Sequence, residues 1–197
     1  MKKIVLVAVI ATAFAASSAF AQGYIGVGVG SSTVSGVDQT IAPVSLTGGN
    51  SSKTSVKIFG GFKFTPNWGV EAQYSDLGSR NLVMTNGGAQ IGTGSLKASQ
   101  LSIAATGTLP LASNFSLFGK LGVSGNSARA NLTVPAVGFA ASNSNNKSDL
   151  MVGVGVSYAI TPKIAVRAEY EDFGKFSTGG GNSIRANNFS VGLQYSF

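Results

Sequence analysis

Six charged side chains of this 197-residue sequence have the types and spacing that could support catalysis or ion pairing. They are Lys57, Glu71, Lys120, Arg167, Glu169 and Glu171. Glu169 and Glu171 are two residues apart, so on a strand their carboxylates would lie on one face, roughly 7 Å from each other. Two carboxylates in proximity are the catalytic unit of a glycosidase. The neighbouring basic residues argue against this use, because they would fill the space that a sugar needs.

The same six residues can instead form a set of ion pairs. Each lies on the small, polar side of a segment whose other side is apolar. A charge left alone in a confined interior costs several kcal/mol. We therefore expect Glu71 to face Arg167, and Glu169 to face Lys120 at the next level, with Lys63 near one end. A structural network of this kind is favoured, and a gated ion path lined by the same charges is the alternative.

Other kinds of catalytic site are excluded by composition. The sequence contains no cysteine and no histidine, which removes disulfides, Ser-His-Asp triads, Cys-His pairs and imidazole metal sites. The glycines of "YIGVGVG" and "MVGVGVS" do not match the G-x-G-x-x-G nucleotide motif, and we interpret them as packing positions. The sequence predicts no enzymatic activity, no cofactor and no metal, and we expect no nucleic-acid partner.

A repeated unit indicates how the charges are positioned. The stretches "TPNWGVEAQYSDLG" (Thr65–Gly78) and "TPKIAVRAEYEDFG" (Thr161–Gly174) are identical at seven of fourteen positions, at an offset of 96 residues. Each begins with a Thr-Pro turn and continues as an alternating strand. The unit is therefore one turn and the strand that follows it, built twice.

The whole chain from Gln22 onward alternates with a period of two. We predict eight strands of about ten residues, joined by three short turns near Pro66, Pro110 and Pro162 and by four long Ser/Asn/Gly-rich loops. The loops cover roughly residues 33–52, 79–95, 126–146 and 175–184. This is the pattern of an all-β, antiparallel up-and-down barrel. The two repeats begin its third and seventh strands, which lie opposite each other when eight strands close.

Alternation alone does not decide which face of the barrel points inward. The apolar face carries many aromatic residues, which are too bulky for the interior of eight strands. The other face is mostly Gly, Ser, Ala and Thr, aromatics lie near both strand ends, and only 11% of residues are charged. These features favour a transmembrane barrel with the apolar face in lipid over a soluble barrel with an apolar interior.

The N-terminus, "MKKIVLVAVIATAFAASSAFAQ", has two lysines, a short apolar run and a small-x-small site. This pattern predicts a signal peptide over residues 1–21, with the barrel domain over residues 22–197. The apolar run is shorter than the roughly 20 residues that a spanning helix needs.

The repeats, the eight-strand meander and the final strand ending at Phe197 resemble the OmpA-type outer-membrane β-barrel family, with its opacity-protein and OmpX-like relatives. The resemblance implies a porin-like barrel of the Gram-negative cell envelope, with extracellular loops and periplasmic turns. It also implies that the barrel-assembly machinery reads the last strand as an assembly signal at Phe189, Val191, Leu193, Tyr195 and Phe197. Larger relatives carry a peptidoglycan-binding domain after the barrel, and no such tethering role is expected here.

Seven basic residues fall at the loop end of the predicted strands. They are Lys53, Arg80, Lys97, Arg129, Lys147, Lys175 and Arg185. Membrane lipids and lipopolysaccharide are the expected partners, and these cations would pair with lipopolysaccharide phosphates, unless they serve only as the soluble charge of the loops. The third loop also contains "NLTVPAVGFAAS", which would extend a hairpin or form an adhesive patch.

We therefore predict a non-enzymatic structural and surface protein of the outer membrane with a lumen plugged by charge. The alternatives are a narrow passive pore for ions or small solutes, and an adhesin that binds host or surface ligands through its loops.

Overall fold

A computed structural model describes residues 22–35, 39–41, 44–47, 52–111, 114–134, 139–179 and 182–197, and nearly all of these are in β-strands. The strands are β1 (Gln22–Ser35), β2 (Gln39–Ile41), β3 (Val44–Thr47), β4 (Lys53–Lys63), β5 (Trp68–Asn86), β6 (Ala89–Pro110), β7 (Phe115–Val134), β8 (Phe139–Ala159), β9 (Ile164–Gly179) and β10 (Asn182–Ser196). No helix of membrane-spanning length and hydropathy occurs in these parts of the chain.

Eight of the strands form a closed antiparallel ring. Going round it, β1 pairs with β4, β4 with β5, and so on through consecutive strands to β10, which pairs with β1. The short β2 and β3 form a hairpin that adds to the loop end of β5. The predicted eight-strand up-and-down barrel is confirmed, and β5 and β9, which carry the repeats, lie opposite each other in the ring.

The ring closes with a stagger that tilts the strands. A path through directly opposite residues leaves β1 at Ser32 and returns to β1 at Gln22, ten positions earlier. With a rise of about 3.3 Å per residue and about 4.7 Å between strands, this stagger tilts the strands by about 40°. The interior of such a barrel is just wide enough to be filled by side chains.

The strands are longer than the sequence predicted. β5, β6, β7 and β8 have 19, 22, 20 and 21 residues instead of about ten. The stretch predicted as a loop over residues 79–95 is a continuous hairpin with a two-residue turn at Gly87 and Gly88, whose φ angles are +58° and +87°. Positive φ at both turn residues suits the right-handed twist of the flanking strands, and only glycine adopts it without strain. Part of the apolar stretch of the third loop likewise extends the β7–β8 hairpin, and residues 135–138 lie outside the described residues.

Both copies of the repeat have the same local structure. At the turn, the hydroxyl of Thr65 accepts the N–H of Trp68 at 2.9 Å, and that of Thr161 accepts the N–H of Ile164 at 3.0 Å. At the other end, the carboxylate of the repeated Asp accepts the N–H of the glycine two residues on, at 2.8 Å in each copy. These glycines have positive φ, and each sits at an irregularity in the strand pairing. The Thr-Pro position thus precedes the start of the strand in each copy, and the Asp-x-Gly position marks the place where its pairing becomes irregular.

The two faces of the barrel separate as predicted. Large apolar side chains point outward and are exposed along every strand of the ring; Val154, for example, is 52% exposed, whereas its neighbour Gly155 is buried. The inward face of the described strands buries polar and charged side chains, among them all six predicted interior charges. The aliphatic and aromatic outer belt is thus the lipid-facing surface, and the predicted signal peptide lies outside the described residues.

Candidate functional site

The six predicted interior charges are brought together in the middle of the lumen. They lie on four strands: Lys57 on β4, Glu71 on β5, Lys120 on β7, and the other three on β9. Every one is at most 5% exposed. The set contains three cations and three carboxylates, so the lumen buries six charges with no net charge among them.

Lys120 is the centre of this network. Its Nζ lies 2.6 Å from Glu71 Oε1 and 2.9 Å from Glu171 Oε1, and it is also paired with Glu169. The amide of Gln73 accepts a further hydrogen bond from Lys120 at 3.1 Å. One ammonium therefore joins all three carboxylates across the barrel.

Lys57 and Arg167 complete the network from opposite sides. Lys57 Nζ lies 3.0 Å from Glu171 Oε2 and is paired with Glu169 as well. Arg167 Nη1 donates to Glu71 Oε2 at 2.7 Å, and Arg167 Nη2 lies 3.6 Å from Glu169 Oε2. Arg167 and Glu71 occupy equivalent positions of the two repeats, so the substitution of Arg for Glu in one copy creates an ion pair across the lumen.

An aromatic layer closes the network on the turn side. The Arg167 guanidinium carbon lies 4.5 Å from the ring centre of Phe59 and 4.3 Å from that of Phe118. The Tyr24 hydroxyl donates to Glu71 Oε2 at 2.9 Å. Stacking on aromatic faces stabilises a desolvated guanidinium.

The lumen glycines make room for this layer. A Cβ at Gly26 would overlap the ring of Phe59, and one at Gly155 would overlap the ring of Phe118. The glycines of the two G-V-G-V segments are therefore packing positions, as predicted.

A polar layer and then an apolar layer lie on the loop side of the network. The polar layer includes a hydrogen bond from Gln100 to Ser75 at 3.1 Å. Beyond it, Leu77, Phe173 and Met151 are fully buried and belong to one apolar cluster. The charges are thus enclosed between aromatic rings and aliphatic side chains, where low dielectric strengthens each ion pair and penalises an unpaired charge.

The arrangement leaves the carboxylate pair without catalytic freedom. Glu169 and Glu171 are 2% and 0% exposed, and both are in contact with Lys57 and Lys120. The geometry therefore gives neither carboxylate access to a substrate. Among the described residues, no group of His, Cys, Asp or Glu is arranged to hold a metal ion.

A small cavity remains at the turn end of the lumen, below Arg167. Its volume is about 50 Å³, and Lys63 and Arg167 both line it together with hydroxyl-bearing side chains. Lys63, placed near the turn end by the sequence analysis, makes no ion pair with a described carboxylate and so is not part of the six-charge network.

The basic residues predicted at the loop end form a band above the apolar belt. Lys53, Lys97, Arg129, Lys175 and Arg185 are exposed and Lys147 is partly so, while the side chain of Arg80 lies outside the described ones. All seven positions lie three to six residues beyond the outermost exposed large apolar side chain of the belt on their strands, such as Val56 on β4 and Leu101 on β6. At about 3.3 Å per residue and the tilt above, this corresponds to a height of about 8–15 Å above the belt.

Four of these cations form two pairs of direct cross-strand neighbours. Lys97 stands opposite Arg129 on the β6–β7 pair, and Lys175 stands opposite Arg185 on the β9–β10 pair. Like charges directly opposite each other in a sheet are destabilising unless an anion lies between them. We call the seven residues the basic band.

The acidic residues near the band accept hydrogen bonds from backbone N–H groups. Asp76 and Asp172 accept the glycine N–H groups described above, and Asp149 accepts the N–H groups of Leu150 and Lys175 at 2.9 and 2.8 Å. Only one ion pair joins a described acid to the band, Arg185 with Asp172 at 3.8 Å. The band therefore keeps a surplus of positive charge.

The last strand pairs on both sides with the barrel. The predicted signal residues Phe189, Val191, Leu193, Tyr195 and Phe197 all point outward and are exposed. The N–H of Phe197 donates to the Gly23 carbonyl at 3.0 Å, and its ring lies 5.5 Å from that of Tyr195. An exposed terminal aromatic is therefore available at the turn end.

The sequence analysis missed the partners that surround the network. Tyr24, Gln73, Phe59 and Phe118 all contact charged members of it. The available signal was strict alternation, which puts Phe59 and Phe118 on the inward face.

Comparison with known proteins decides the family. The family model described as the outer membrane protein beta-barrel domain matches residues 4–197. The chain belongs to the outer membrane β-barrel family. As a member it is an outer-membrane protein, which agrees with the exposed apolar belt. Among curated proteins, none matches the sequence.

Solved structures of small outer-membrane barrels share this fold. OprG from Pseudomonas aeruginosa has a TM-score of 0.60 and 16% identity over 90% of this chain and 97% of that one. Ail from Yersinia pestis, the attachment invasion locus protein, solved in complex with the heparin analogue sucrose octasulfate, has 0.57 and 17% over 90% and 99%. Neisserial surface protein A has 0.54 and 20% over 89% and 97%. Identities this low show a common fold for these family members and nothing finer.

Proposed function

We propose that this outer-membrane barrel is a non-enzymatic structural and surface protein whose lumen is plugged by its own charges. The observation that carries the proposal is the balanced six-charge network, in which every carboxylate contacts at least two cations. An ion that crosses the lumen would have to displace these buried pairs. Each broken pair leaves an uncompensated charge, at a cost of several kcal/mol.

The aromatic and aliphatic layers support the same conclusion. Phe59 and Phe118 fill the lumen below the network, and Leu77, Phe173 and Met151 fill it above. A narrow passive pore would need a continuous wet path, which these layers interrupt. The pore is the second candidate function, and the only observation that favours it is the charged character of the lumen.

Ion conductance of the purified, refolded barrel in planar bilayers tests the plugged lumen. We expect the wild-type conductance to be small or intermittent, because opening requires rearrangement of several ion pairs at once. A large and steady conductance would favour the pore.

We also propose that the basic band binds phosphate groups of lipopolysaccharide in the outer leaflet. Its height above the apolar belt, its two like-charge neighbour pairs and its shortage of acidic partners support this proposal. Ail, which shares the fold, is known in complex with a highly sulfated ligand, so a barrel of this shape can present cations to such anions. Binding of a host ligand through the loops stays a prediction, which loop deletion would test.

The double substitution Lys97→Gln with Arg129→Gln should weaken association with lipopolysaccharide by about 30-fold. This is the loss expected when two surface cations, each worth about 1 kcal/mol at an anionic membrane surface, are removed. In phosphatidylcholine bilayers, the same variant should be neutral or slightly more stable, because a like-charge pair has been removed. Urea unfolding in the two kinds of bilayer measures both effects.

Lys163→Gln is the matched control, since Lys163 is exposed at the turn end. It should change the response to lipopolysaccharide little. An identical effect of the double substitution in both bilayers would rule out phosphate contact at this pair.

Recognition of the last strand by the barrel-assembly machinery is a separate proposal, supported by the resemblance and by the exposed terminal aromatic. Deletion of Phe197 should slow assembly in cells far more than refolding in detergent, while Phe197→Tyr should behave as wild type in both. Pulse-chase assembly and refolding kinetics are the measurements. Equal defects in cells and in detergent would mean that Phe197 contributes only packing and its hydrogen bond to Gly23.

A further inference from the structure

The cavity at the turn end of the lumen is lined by a cation, Lys63, that no described carboxylate balances. Lys63 and Arg167 both line it, and its other polar walls are hydroxyl and amide groups, among them Ser116, Ser157, Thr106 and Gln194. No carboxylate of the described residues lines it. The six-charge network is already neutral without Lys63, so the ammonium of Lys63 is a surplus cation in the lumen.

Lys63 also lacks a carboxylate partner. None of the carboxylates that the structure describes is in ion-pair contact with it, whereas every cation of the network contacts at least two. The Nε–H of Arg167 is buried and has no acceptor among the described residues. Two like charges at one small cavity repel each other, and an anion between them would turn that repulsion into attraction.

The size and chemistry of the cavity select the anion. A volume of about 50 Å³ holds about three or four water molecules. A chloride ion is only slightly larger than one water molecule, and hydroxyl and ammonium groups are the donors that hold it. Lys63 is one surplus cation and balances one negative charge, so a monovalent anion matches this site better than a divalent oxyanion, and a bulky organic anion does not fit.

We propose that this cavity binds a small monovalent inorganic anion of the size of chloride, with Lys63 as its charge partner and the hydroxyls of Ser116 and Ser157 among its donors. The site exists only in the closed barrel, since Lys63 on β4 and Ser157 on β8 come together only when the ring forms. Chloride therefore stabilises the folded state over the unfolded chain.

Urea unfolding at constant ionic strength, with sodium gluconate exchanged stepwise for sodium chloride, is the first measurement. The folded-to-unfolded ratio of the wild type should rise with chloride and reach about 11-fold at ten times the dissociation constant. Lys63→Gln should lose this dependence while it still folds, because Lys63 is partly exposed and outside the network. Lys163→Gln, which changes an exposed lysine in the turn at Pro162, should keep it.

Chloride-35 line broadening on the refolded barrel is the second measurement. It should be present for the wild type and for Lys163→Gln, and absent for Lys63→Gln. A chloride response unchanged by Lys63→Gln, or no response in the wild type, would overturn the site. Displacement of chloride by inorganic phosphate at equal concentration would overturn the assignment to a small monovalent anion.

Discussion

Replacing Arg167 with alanine is expected to destabilise the folded barrel by about 3–5 kcal/mol in urea unfolding titrations. Arg167 is paired with Glu71 and Glu169 and stacked between Phe59 and Phe118. Its removal leaves three buried carboxylates facing only two lysines. It also leaves a gap between two aromatic rings, so lost packing adds to the electrostatic cost.

Adding Glu71→Ala to this variant should restore part of the loss. The double variant has two cations and two carboxylates in the lumen, so its charge is balanced again. The coupling between the two sites in a double-mutant cycle is expected to lie in the range of about 1–3 kcal/mol. Arg129→Ala, on the outer surface, serves as the control and should change stability in phosphatidylcholine bilayers by less than about 0.5 kcal/mol. Additive energies for Arg167 and Glu71 would contradict the coupled network.

The second large effect on folding stability is expected for a substitution on the lipid-facing outer surface of the barrel. Val154→Arg should impair folding into bilayers by about 2–4 kcal/mol, because it places a cation near the middle of the lipid-facing belt. Val154 is 52% exposed and lies midway between the exposed residues Leu150 and Tyr158 on β8. Urea titration in phosphatidylcholine vesicles measures the cost.

Ser148→Arg is the matched control for that substitution. Ser148 lies on the same strand and is exposed, but beyond the last apolar residue of the belt. Its replacement should cost at most about 1 kcal/mol, since the cost of a cation falls near the interface. A neutral effect of Val154→Arg would mean that the barrel faces are reversed.

Much of this architecture could be predicted from the sequence, because residues that alternate with a period of two must face opposite sides of a strand. Val154 and Gly155 could be assigned to opposite faces since eight strands cannot hold an aromatic-rich face inside. The facing of Glu71 and Arg167 could be predicted because the repeat places their strands opposite each other. No tertiary information was needed for either inference.

The strand lengths could not be predicted in the same way. Above the membrane, β5 to β8 mix Ser, Thr, Asn and Gly with scattered apolar residues such as Val83 and Leu96, and these do not continue the regular alternation of the belt. The hairpin at Gly87–Gly88 is held by backbone pairing and turn geometry, and these leave only a faint trace in composition.

The surroundings of the charges were also beyond sequence reasoning. The stacking of Arg167 between two rings depends on glycines at facing positions of neighbouring strands, such as Gly155 beside Phe118. Register of this kind is fixed only when the barrel closes. Likewise, Leu77 and Phe173 come together on the loop side because both repeats end in the same Asp-x-Gly irregularity.

Single-channel recording of the wild type beside Arg167→Ala, in the same planar bilayers, tests the plugged lumen most directly. The network predicts small or intermittent wild-type conductance, because three buried cations and three carboxylates hold the lumen closed. It predicts higher conductance for Arg167→Ala, in which the aromatic layer loses the cation that it encloses. A large, steady wild-type conductance that Arg167→Ala leaves unchanged would contradict the plugged lumen and establish a passive pore.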